Sequence, residues 1–261
     1  MRVGILAAGV GRRLNSSDLP PKILLEFGGQ SLLARHITIL RQLGIERVDL
    51  VVGYRADEIR AEISRIGADD LVVTHDNPDY EEGAILSFWT LRDVFTSGEP
   101  VVFMDGDVLY DRRMMERLMG APRHNCFLMD RTVEDGEDPV KICMRDDVLV
   151  DFHKRPKLPF DWWGEWVGFC RFSPAIAAGV AAAAGRIVDA GRRDTIYEDA
   201  IQEVVVNEPQ GTFGVADITG LPWVEIDFPE DLERARNEIF PSLIDQPDSE
   251  DQPRALHTAA Q

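Results

Sequence analysis

Apolar β-branched runs alternate with amphipathic stretches over the first half of the chain, which predicts an α/β fold with a Rossmann-like, mixed but mostly parallel sheet flanked by helices. Two further observations sharpen this. Glycines and carboxylates fall at the ends of expected strands, where open α/β sheets bind their ligands. The second half changes to shorter strand-like pieces, which fit a small antiparallel subdomain. At 261 residues and 44% hydrophobic content, the chain is long enough for one sizeable core.

Taken in order, residues 2–7 read as a buried strand, 31–43 as a helix, 48–52 as a strand, 57–66 as a helix, 71–74 as a strand, 81–94 as a helix and 101–104 as a strand. Strands separated by helices imply βαβ crossovers and a shared strand direction. Past Arg112 come strand-like pieces at 125–129, 140–144, 148–153 and 166–172, with turns such as Asp135-Gly136 and Asp146-Asp147 between them. Helices follow at 174–185, almost entirely Ala, Ile and Val, and at 195–206. A strand at 223–226 then leads into a helix opened by Pro229, whose Glu230 and Asp231 suit the positive end of the helix dipole. From about residue 242 the chain carries four acids, one arginine, two prolines and little apolar content, which predicts a mobile acidic tail over 242–261. No repeat, and no hexapeptide array of the β-helix kind, is present in the sequence.

The net charge of −18 would repel polyanions, so nucleic acid and anionic membrane surfaces are not expected partners and any phosphate binding must be local. Cys126, Cys143 and Cys170 are odd in number and sit in apolar stretches, a spacing of neither a disulfide framework nor a metal site. Buried thiols in a reducing cytoplasm are the expectation. The N-terminus begins like a signal peptide, but its apolar run is short and arginines follow it. No stretch approaches the roughly eighteen apolar residues of a membrane span, so a soluble cytoplasmic protein without membrane insertion is expected.

The sharpest local pattern is Leu6-Ala7-Ala8-Gly9-Val10-Gly11-Arg12-Arg13-Leu14, followed by Pro21-Lys22. Small residues and glycines at a strand end let backbone N–H groups come close to a phosphate chain, because no side chain stands between them. A triphosphate carries about four negative charges, so fixed cations such as Arg13 and Lys22 are expected beside the loop. The spacing matches neither the ATPase phosphate loop nor the dinucleotide fingerprint with its third glycine. A second pattern, Val101-Val102-Phe103-Met104-Asp105-Gly106-Asp107, is an apolar strand ending in two carboxylates on a tight turn. Magnesium takes one or two carboxylates together with phosphate oxygens and water, and one of the two acids is expected to bind it directly. A third, Trp223-Val224-Glu225-Ile226-Asp227-Phe228-Pro229, is a late strand leading into a capped helix, where Asp227 could serve as N-cap, as a returning ligand, or as both.

The glycine string with its Pro-Lys resembles the sugar-phosphate and choline-phosphate type nucleotidyltransferases, whose pattern is a strand, then L-A-A-G-x-G-x-R, then P-K. The resemblance implies a nucleotidyltransferase fold of GT-A-like architecture, with a single catalytic domain over 1–241 and an acceptor-binding embellishment over about 125–200. It implies transfer of a nucleoside monophosphate from a nucleoside triphosphate to a small phosphorylated or phosphonate metabolite, with Mg²⁺ and release of pyrophosphate. Arg13 and Lys22 fall on the family arginine and lysine that stabilise the α-phosphate and the leaving group. Leu6, Ala7, Ala8, Gly9 and Gly11 fall on the loop that wraps the triphosphate, with Asp105 at its side; Asp107 and Asp227 take the metal. The segment His75-Asp76-Asn77-Pro78-Asp79-Tyr80 through Ser87 is most similar to the choline-phosphate cytidylyltransferase branch and its relatives using inositol phosphate or aminoethylphosphonate. That implies CTP, with Asn77 and Ser87 lining the base and phosphate pocket. The family position before the Ser motif often holds Asn, whereas this chain has Gly83-Ala84.

A phosphomonoester or phosphonate is ionised at neutral pH, its second pKa lying near about 6, so no general base is required. His36, His75, His124, His153 and His257 are scattered and form no catalytic arrangement. Lys154 falls where family members keep a basic residue for the acceptor phosphate, with Arg155 beside it. Trp162, Trp163 and Trp166 among carboxylates, with Glu198 further on, are what a cationic head group would want; hydrophobic filling or a homodimer contact is their alternative use. A nucleotide-sugar-using glycosyltransferase shares the αβ core and an acidic strand end but does not need the glycine string with Pro-Lys. A non-catalytic nucleotide sensor could lose Lys22 or a metal ligand, and this chain keeps both.

Overall fold

The computed structural model describes residues 1–14, 19–132 and 139–244. The expected turn at Asp135-Gly136 and nearly all of the expected tail lie outside the described residues. Chain order runs β1 (Arg2–Ala7), a small hairpin of β2 (Glu26–Phe27) and β3 (Gln30–Ser31), α1 (Leu32–Gln42), β4 (Val48–Val52), α2 (Ala56–Arg65), β5 (Val72–Asp76), α3 (Ala84–Thr90), α4 (Arg92–Phe95) and β6 (Val101–Asp105). Then come β7 (Val108–Tyr110), α5 (Arg112–Gly120), β8 (Asn125–Asp130), β9 (Lys141–Arg145), β10 (Val148–His153) and β11 (Trp162–Phe172). The chain continues through α6 (Pro174–Asp189), α7 (Glu198–Asn207), β12 (Phe213–Asp217), β13 (Trp223–Glu225) and α8 (Pro229–Arg234).

Nine strands form one mixed sheet. Its parallel part has the order β6-β1-β4-β5, and β6 pairs antiparallel with β11. β11 also carries β8 and β9, while β12 joins β8 in parallel. The expected α/β fold with a mixed sheet is therefore the fold found. Alternation along the strands divides the core by face: Val101 and Phe103 pack with α3, α4, α6 and α7, while Val102 and Met104 pack with α1, α2 and α5. β4 steps from β1 to one side and β6 lies on the other, so the order reverses between β1 and β6. A crevice opens at such a reversal, beyond the carboxyl ends of the strands.

The antiparallel pieces expected over 125–172 join the main sheet, while β13 with β7 and β2 with β3 form two small antiparallel sheets of their own. β11 runs for eleven residues, starting four residues before the expected strand, and its upper half pairs with β9 while its lower half pairs with β6. The bend is an irregularity between Trp166 and Cys170 around Gly168, whose φ of +84° suits glycine and whose missing Cβ leaves room for the Asp105 carboxylate. The expected helix at 81–94 begins only at Ala84 and breaks at Leu91 into α3 and α4. A Cβ at Gly83 would lie 2.2 Å from the Arg193 carbonyl oxygen, so the chain passes there as backbone alone. Strands β7 and β12 and helix α5 go beyond the expected elements: β7 has three residues, too few for a period, whereas α5 carries a helical signal in Asp111 at its N-cap and an apolar face of Met114, Met115 and Leu118. Among the described residues no helix is long and apolar enough to cross a membrane. The three cysteines are free and buried, and burial pushes the Cys126 thiol up to about 11 and the Cys143 thiol up to about 12.

One ion cluster secures the β1–β4 pair. The fully buried Asp49 accepts from Arg2 at 2.6 and 2.9 Å and lies 2.8 Å from His75 Nε2, with Arg47 at 3.3 Å. Burial alone would raise this carboxyl, but hydrogen bonds from His75, Arg2 and Arg47 hold its pKa down to about 2, from an ordinary 3.8. The stabilisation is fully present above the unfolded value and is lost as pH falls toward the folded one. It is worth on the order of 2 kcal/mol at neutral pH. Asp49→Asn should therefore lower the thermal midpoint at pH 7 by several degrees, with a gap from wild type that narrows between pH 4 and 2 on the scale set by that shift. A gap unchanged across this range would remove the ionic account.

Candidate active site

The loop after β1 sits at the β1–β6 crevice. Leu6 stands opposite Asp105 in register, and the Gly106 amide donates to the Leu6 carbonyl at 3.0 Å. A Cβ at Gly9 would meet nothing within 4 Å, so its backbone is open to a ligand. Gly11 adopts φ +68° and carries the chain beside the Lys22 side chain. Leu6, Ala7, Gly9, Gly11, Lys22, Gly106 and Asp107 enclose a small cavity of about 80 Å³. Ala8 lies in the core beneath, its carbonyl accepting from the Tyr54 amide at 3.1 Å.

Lys22 reaches from this loop to two other strand ends. Its ammonium lies 2.9 Å from Asp107 Oδ2, just past β6, and 2.5 Å from Asp227 Oδ1, just past β13. Burial works against its charge, but Asp107 and Asp227 outweigh it and hold the pKa above the ordinary lysine value. Arg13 donates to Asp227 Oδ2 at 3.0 Å and lies over the Phe228 ring. Burial would raise the Asp227 carboxyl, yet Lys22 and Arg13 keep it below its usual range. Its backbone is fixed in turn, since Asp231 in the first turn of α8 accepts from the Asp227 and Phe228 amides at 3.0 and 2.7 Å.

Glu225 is the third carboxylate of the cluster. Oxygens of Asp107, Glu225 and Asp227 all lie within 4.8 Å of one another. Glu225 opens onto the cleft, but the surrounding protein and then the charges of Asp107 and Asp227 push its pKa up. It carries no assignment from the sequence, although the signal was there: two residues from Asp227, it shares the same face of an extended strand. A set of hard oxygens balanced by an ammonium fits a divalent cation such as Mg²⁺.

A larger cavity of about 640 Å³ opens on the other side of this cluster, lined by Arg13, Asp227 and Glu225 at one end and by Asp130, Glu165, Trp166, Tyr197, Glu198 and Trp223 further in. Lys154 lies between the two ends, close enough to oppose the raised pKa of both Glu198 and Glu225 and to lower that of Asp227. Asp151 accepts from the Lys157 and Leu158 amides at 2.6 and 2.8 Å and from Gln202 at 2.8 Å, which fixes the turn after Lys154. Glu198 is only 7% exposed and its Oε2 has no hydrogen-bond partner; burial raises its pKa. Trp166 is a core residue whose indole donates to the Phe169 carbonyl at 2.9 Å and whose edge reaches the wall.

Other expected residues lie elsewhere. Trp162 and Trp163 do not line this cavity: Arg131 covers one at 4.5 Å and Lys141 the other at 4.9 Å, so each already faces a cation of the chain. Trp223, bonded to Asp130 at 2.8 Å, supplies an indole to the wall instead. Asp105 turns away from the glycine loop, with both oxygens accepting from the Tyr197 hydroxyl at 2.9 and 2.7 Å. Burial, then Asp107 and Glu225, raise its pKa well above the carboxylate range. Asn77 and Ser87 are buried and bonded to each other at 3.0 Å, tying the end of β5 to α3.

A glycine loop at a strand-order reversal, two basic side chains and a carboxylate cluster meet between two cavities, on an α/β protein whose sheet opens there. The chain belongs to the MobA-like NTP transferase domain family, whose model matches residues 3–156. It is similar to the bifunctional IPC transferase and DIPP synthase of Thermococcus kodakarensis, 28% identical over 258 residues, covering 93% of this chain and 51% of that protein. It is also similar to the CMP-5'-(3-aminopropyl)phosphonate synthase of Streptomyces rubellomurinus, 28% identical over 249 residues, 90% of this chain and 38% of that protein. The chain thus spans about half the length, or less, of these curated relatives. Among solved structures, the inositol-1-phosphate CTP transferase from T. maritima matches with a TM-score of 0.70 at 21% identity, covering 92% of this chain and 93% of that one. The CTP:phosphocholine cytidylyltransferase from Streptococcus pneumoniae matches with a TM-score of 0.66 at 18% identity, covering 89% and 96%. Both share the fold.

The charge balance at Lys22 is testable without a substrate. Lys22→Ala leaves Asp107 and Asp227 facing each other, a half-buried case expected to cost about 2 kcal/mol, between an exposed and a buried pair. Its thermal midpoint should drop in chelator, and millimolar Mg²⁺ should raise the variant's midpoint more than the wild type's. Equal shifts in both proteins would show that the Lys22 ammonium does not compete with a cation for these carboxylates, and no shift in either would remove the shared cation site.

Proposed function

We propose that this chain transfers the nucleoside monophosphate of a nucleoside triphosphate, CTP, to a phosphate or phosphonate oxygen of a small acceptor, releasing pyrophosphate. The observation that carries this reading is the convergence of Lys22, Arg13, Asp107 and Asp227 where the small cavity at the glycine loop meets the larger one. The names of the Streptomyces relative and of both solved neighbours refer to cytidine nucleotides, which supports CTP.

The acceptor oxygen is already ionised and needs no base. It bonds to the α-phosphorus as the bond from that phosphorus to the bridging oxygen of pyrophosphate breaks. The amides from Leu6 to Gly11 cradle the triphosphate, and Lys154 holds the acceptor's phosphate. Asp107 and Asp227, with Glu225, would hold a Mg²⁺, which when bound supplies charge neutralisation and Lewis acidity at the phosphates. With its carboxylate partners so engaged, the Lys22 ammonium turns to the phosphate chain, and Arg13 stands beside it for the charge that builds in the transition state. Pyrophosphate release from CTP with a pool of small phosphates and phosphonates tests the reaction, and Asp107→Ala and Asp227→Ala should each remove most of it in folded protein. No release with any of four triphosphates, or near wild-type release from Asp107→Ala, would reject it.

The far wall of the larger cavity selects among acceptors. Asp130, Glu165 and Glu198 stand there among Trp166, Tyr197 and Trp223, and Glu198 keeps a buried oxygen without a partner. An ammonium would answer that oxygen and the neighbouring carboxylates, with Trp223 as the indole left to receive it, so the reading favours an amino- or trimethylammonium-bearing acceptor over a neutral polyol phosphate. A desolvated cation–π contact is worth roughly 2 kcal/mol, more than tenfold in selectivity. Aminoalkylphosphonates and phosphocholine should therefore exceed inositol phosphate and hexose 1-phosphates in kcat/KM. Equal or better turnover of the polyols would return the aromatic residues to a packing role and leave nucleotidyl transfer standing.

A further inference from the structure

His36 belongs to no motif, yet it touches the turn that carries the acidic pair. It sits on α1, 1% exposed, with its imidazole stacked on Tyr110 of β7 at 5.5 Å. Its Nε2 lies 3.1 Å from the carbonyl oxygen of Gly106, the residue between Asp105 and Asp107. A carbonyl oxygen only accepts, so Nε2 carries the proton. Nδ1 is then a bare lone pair, and it is buried without a hydrogen-bond partner. Burial keeps the ring neutral, its pKa pushed down to about 4 although the Gly106 carbonyl favours the charged form.

Three anchors fix the backbone of this turn. The Gly106 amide donates to Leu6 of β1 at 3.0 Å, and the Asp107 carbonyl accepts from the Ile226 amide at 3.1 Å. The third is the His36 bond to the Gly106 carbonyl, and it alone of the three comes from a side chain. On the β1 side the turn has no slack, since even a Cβ at residue 106 would lie 2.6 Å from the Leu6 carbonyl oxygen. The freedom left is rotation of the Gly106–Asp107 peptide plane, and His36 is what opposes it. Asp107 leaves the chain immediately after that plane, so its tilt aims the Asp107 carboxylate.

We propose that His36 is a positioning residue for the carboxylate cluster: its Nε2–H bond to the Gly106 carbonyl sets the direction of Asp107 toward Glu225 and Asp227. This rests on the reading of that cluster as a divalent-cation site. Groups that orient ligands without touching the metal are worth about ten- to a hundredfold in affinity, and ligand placement tolerates only about half an ångström of error.

The test is Mn²⁺ binding to the full chain, followed by calorimetry or by the spin resonance of free Mn²⁺, with the thermal midpoint of each protein measured alongside. Three substitutions separate the donor from the packing. In His36→Gln the amide nitrogen takes the place of Nε2 and keeps the donor. In His36→Asn the amide stops near the place of Nδ1 and falls short of Gly106. His36→Met fills the ring's volume without a donor. Gln should hold the Mn²⁺ dissociation constant within about threefold of wild type while Asn and Met raise it about tenfold or more, whatever their midpoints. Wild-type affinity in Asn or Met overturns the role, and so does a Gln variant as weak as Asn; if Met does not fold, the Gln–Asn pair decides. A wild-type chain that binds no Mn²⁺, or an Asp107→Asn variant that binds it as well as wild type, would instead overturn the metal centre on which the inference stands.

Discussion

The ammonium of Lys22 joins three parts of the chain that are far apart in sequence: the loop after β1, the turn after β6 and the end of β13. It does so through ion pairs with Asp107 and Asp227 at 2.9 and 2.5 Å. Without it, three carboxylates would stand within 4.8 Å of one another with Arg13 and the more distant Lys154 to offset them. Much of the surrounding architecture serves to hold the three ends in register. Ile226 donates to Asp107, which ties β13 to the β6 turn; Asp231 grips the amides of Asp227 and Phe228; the Gly106 amide and carbonyl are held by Leu6 and His36. These are backbone contacts, so the side chains of the cluster stay available for ligands.

The second half of the molecule is joined to this centre through Asp105. Its two oxygens accept from Tyr197, at the start of α7, and it fits into the space left by the missing Cβ of Gly168 in β11. A buried carboxyl whose pKa is raised is a poor metal ligand but a good strut. Burial and the neighbouring Asp107 both favour its neutral form, while the Tyr197 hydroxyl favours the charged one. The two acids of the Asp105-Gly106-Asp107 turn thus divide their work because β6 ends at Asp105 and the chain turns at Gly106, leaving one facing the wall of the larger cavity and the other the phosphate loop.

The parallel core and its glycine loop were legible because each rests on a local rule: buried parallel strands give continuous apolar runs, and a close backbone approach demands small residues. Asp107 and Asp227 were legible for the same reason, as acids at strand ends. Glu225 could have been read from its two-residue spacing to Asp227. Nothing local marks Asp105 as a strut, because that depends on Tyr197, 92 residues away. The tryptophans show the limit most clearly. Composition gathers Trp162, Trp163 and Trp166 beside carboxylates, but Arg131 and Lys141 sit on the first two and the third is packed in the core. Trp223 takes their place on the wall from a strand some sixty residues later.

In a chain of net charge −18, the proposed handling of a triphosphate would meet an electrostatic problem, on which the arrangement of a few local cations bears. Free triphosphate is repelled at long range, whereas a divalent cation, or a triphosphate already carrying one, is repelled far less. The carboxylate cluster lies at the ammonium end of Lys22, whose stem packs beside Gly11 of the loop. Beyond it the cavity wall is again acidic, with Lys154 the basic side chain between the two ends. In the proposed reaction an acceptor in this cavity would lie between the acidic far wall and Lys154, so a molecule with an anion at one end and a cation at the other would have one favoured orientation. That orientation presents its phosphate to the loop and the α-phosphorus, and the same field would turn a dianion without a cationic end away.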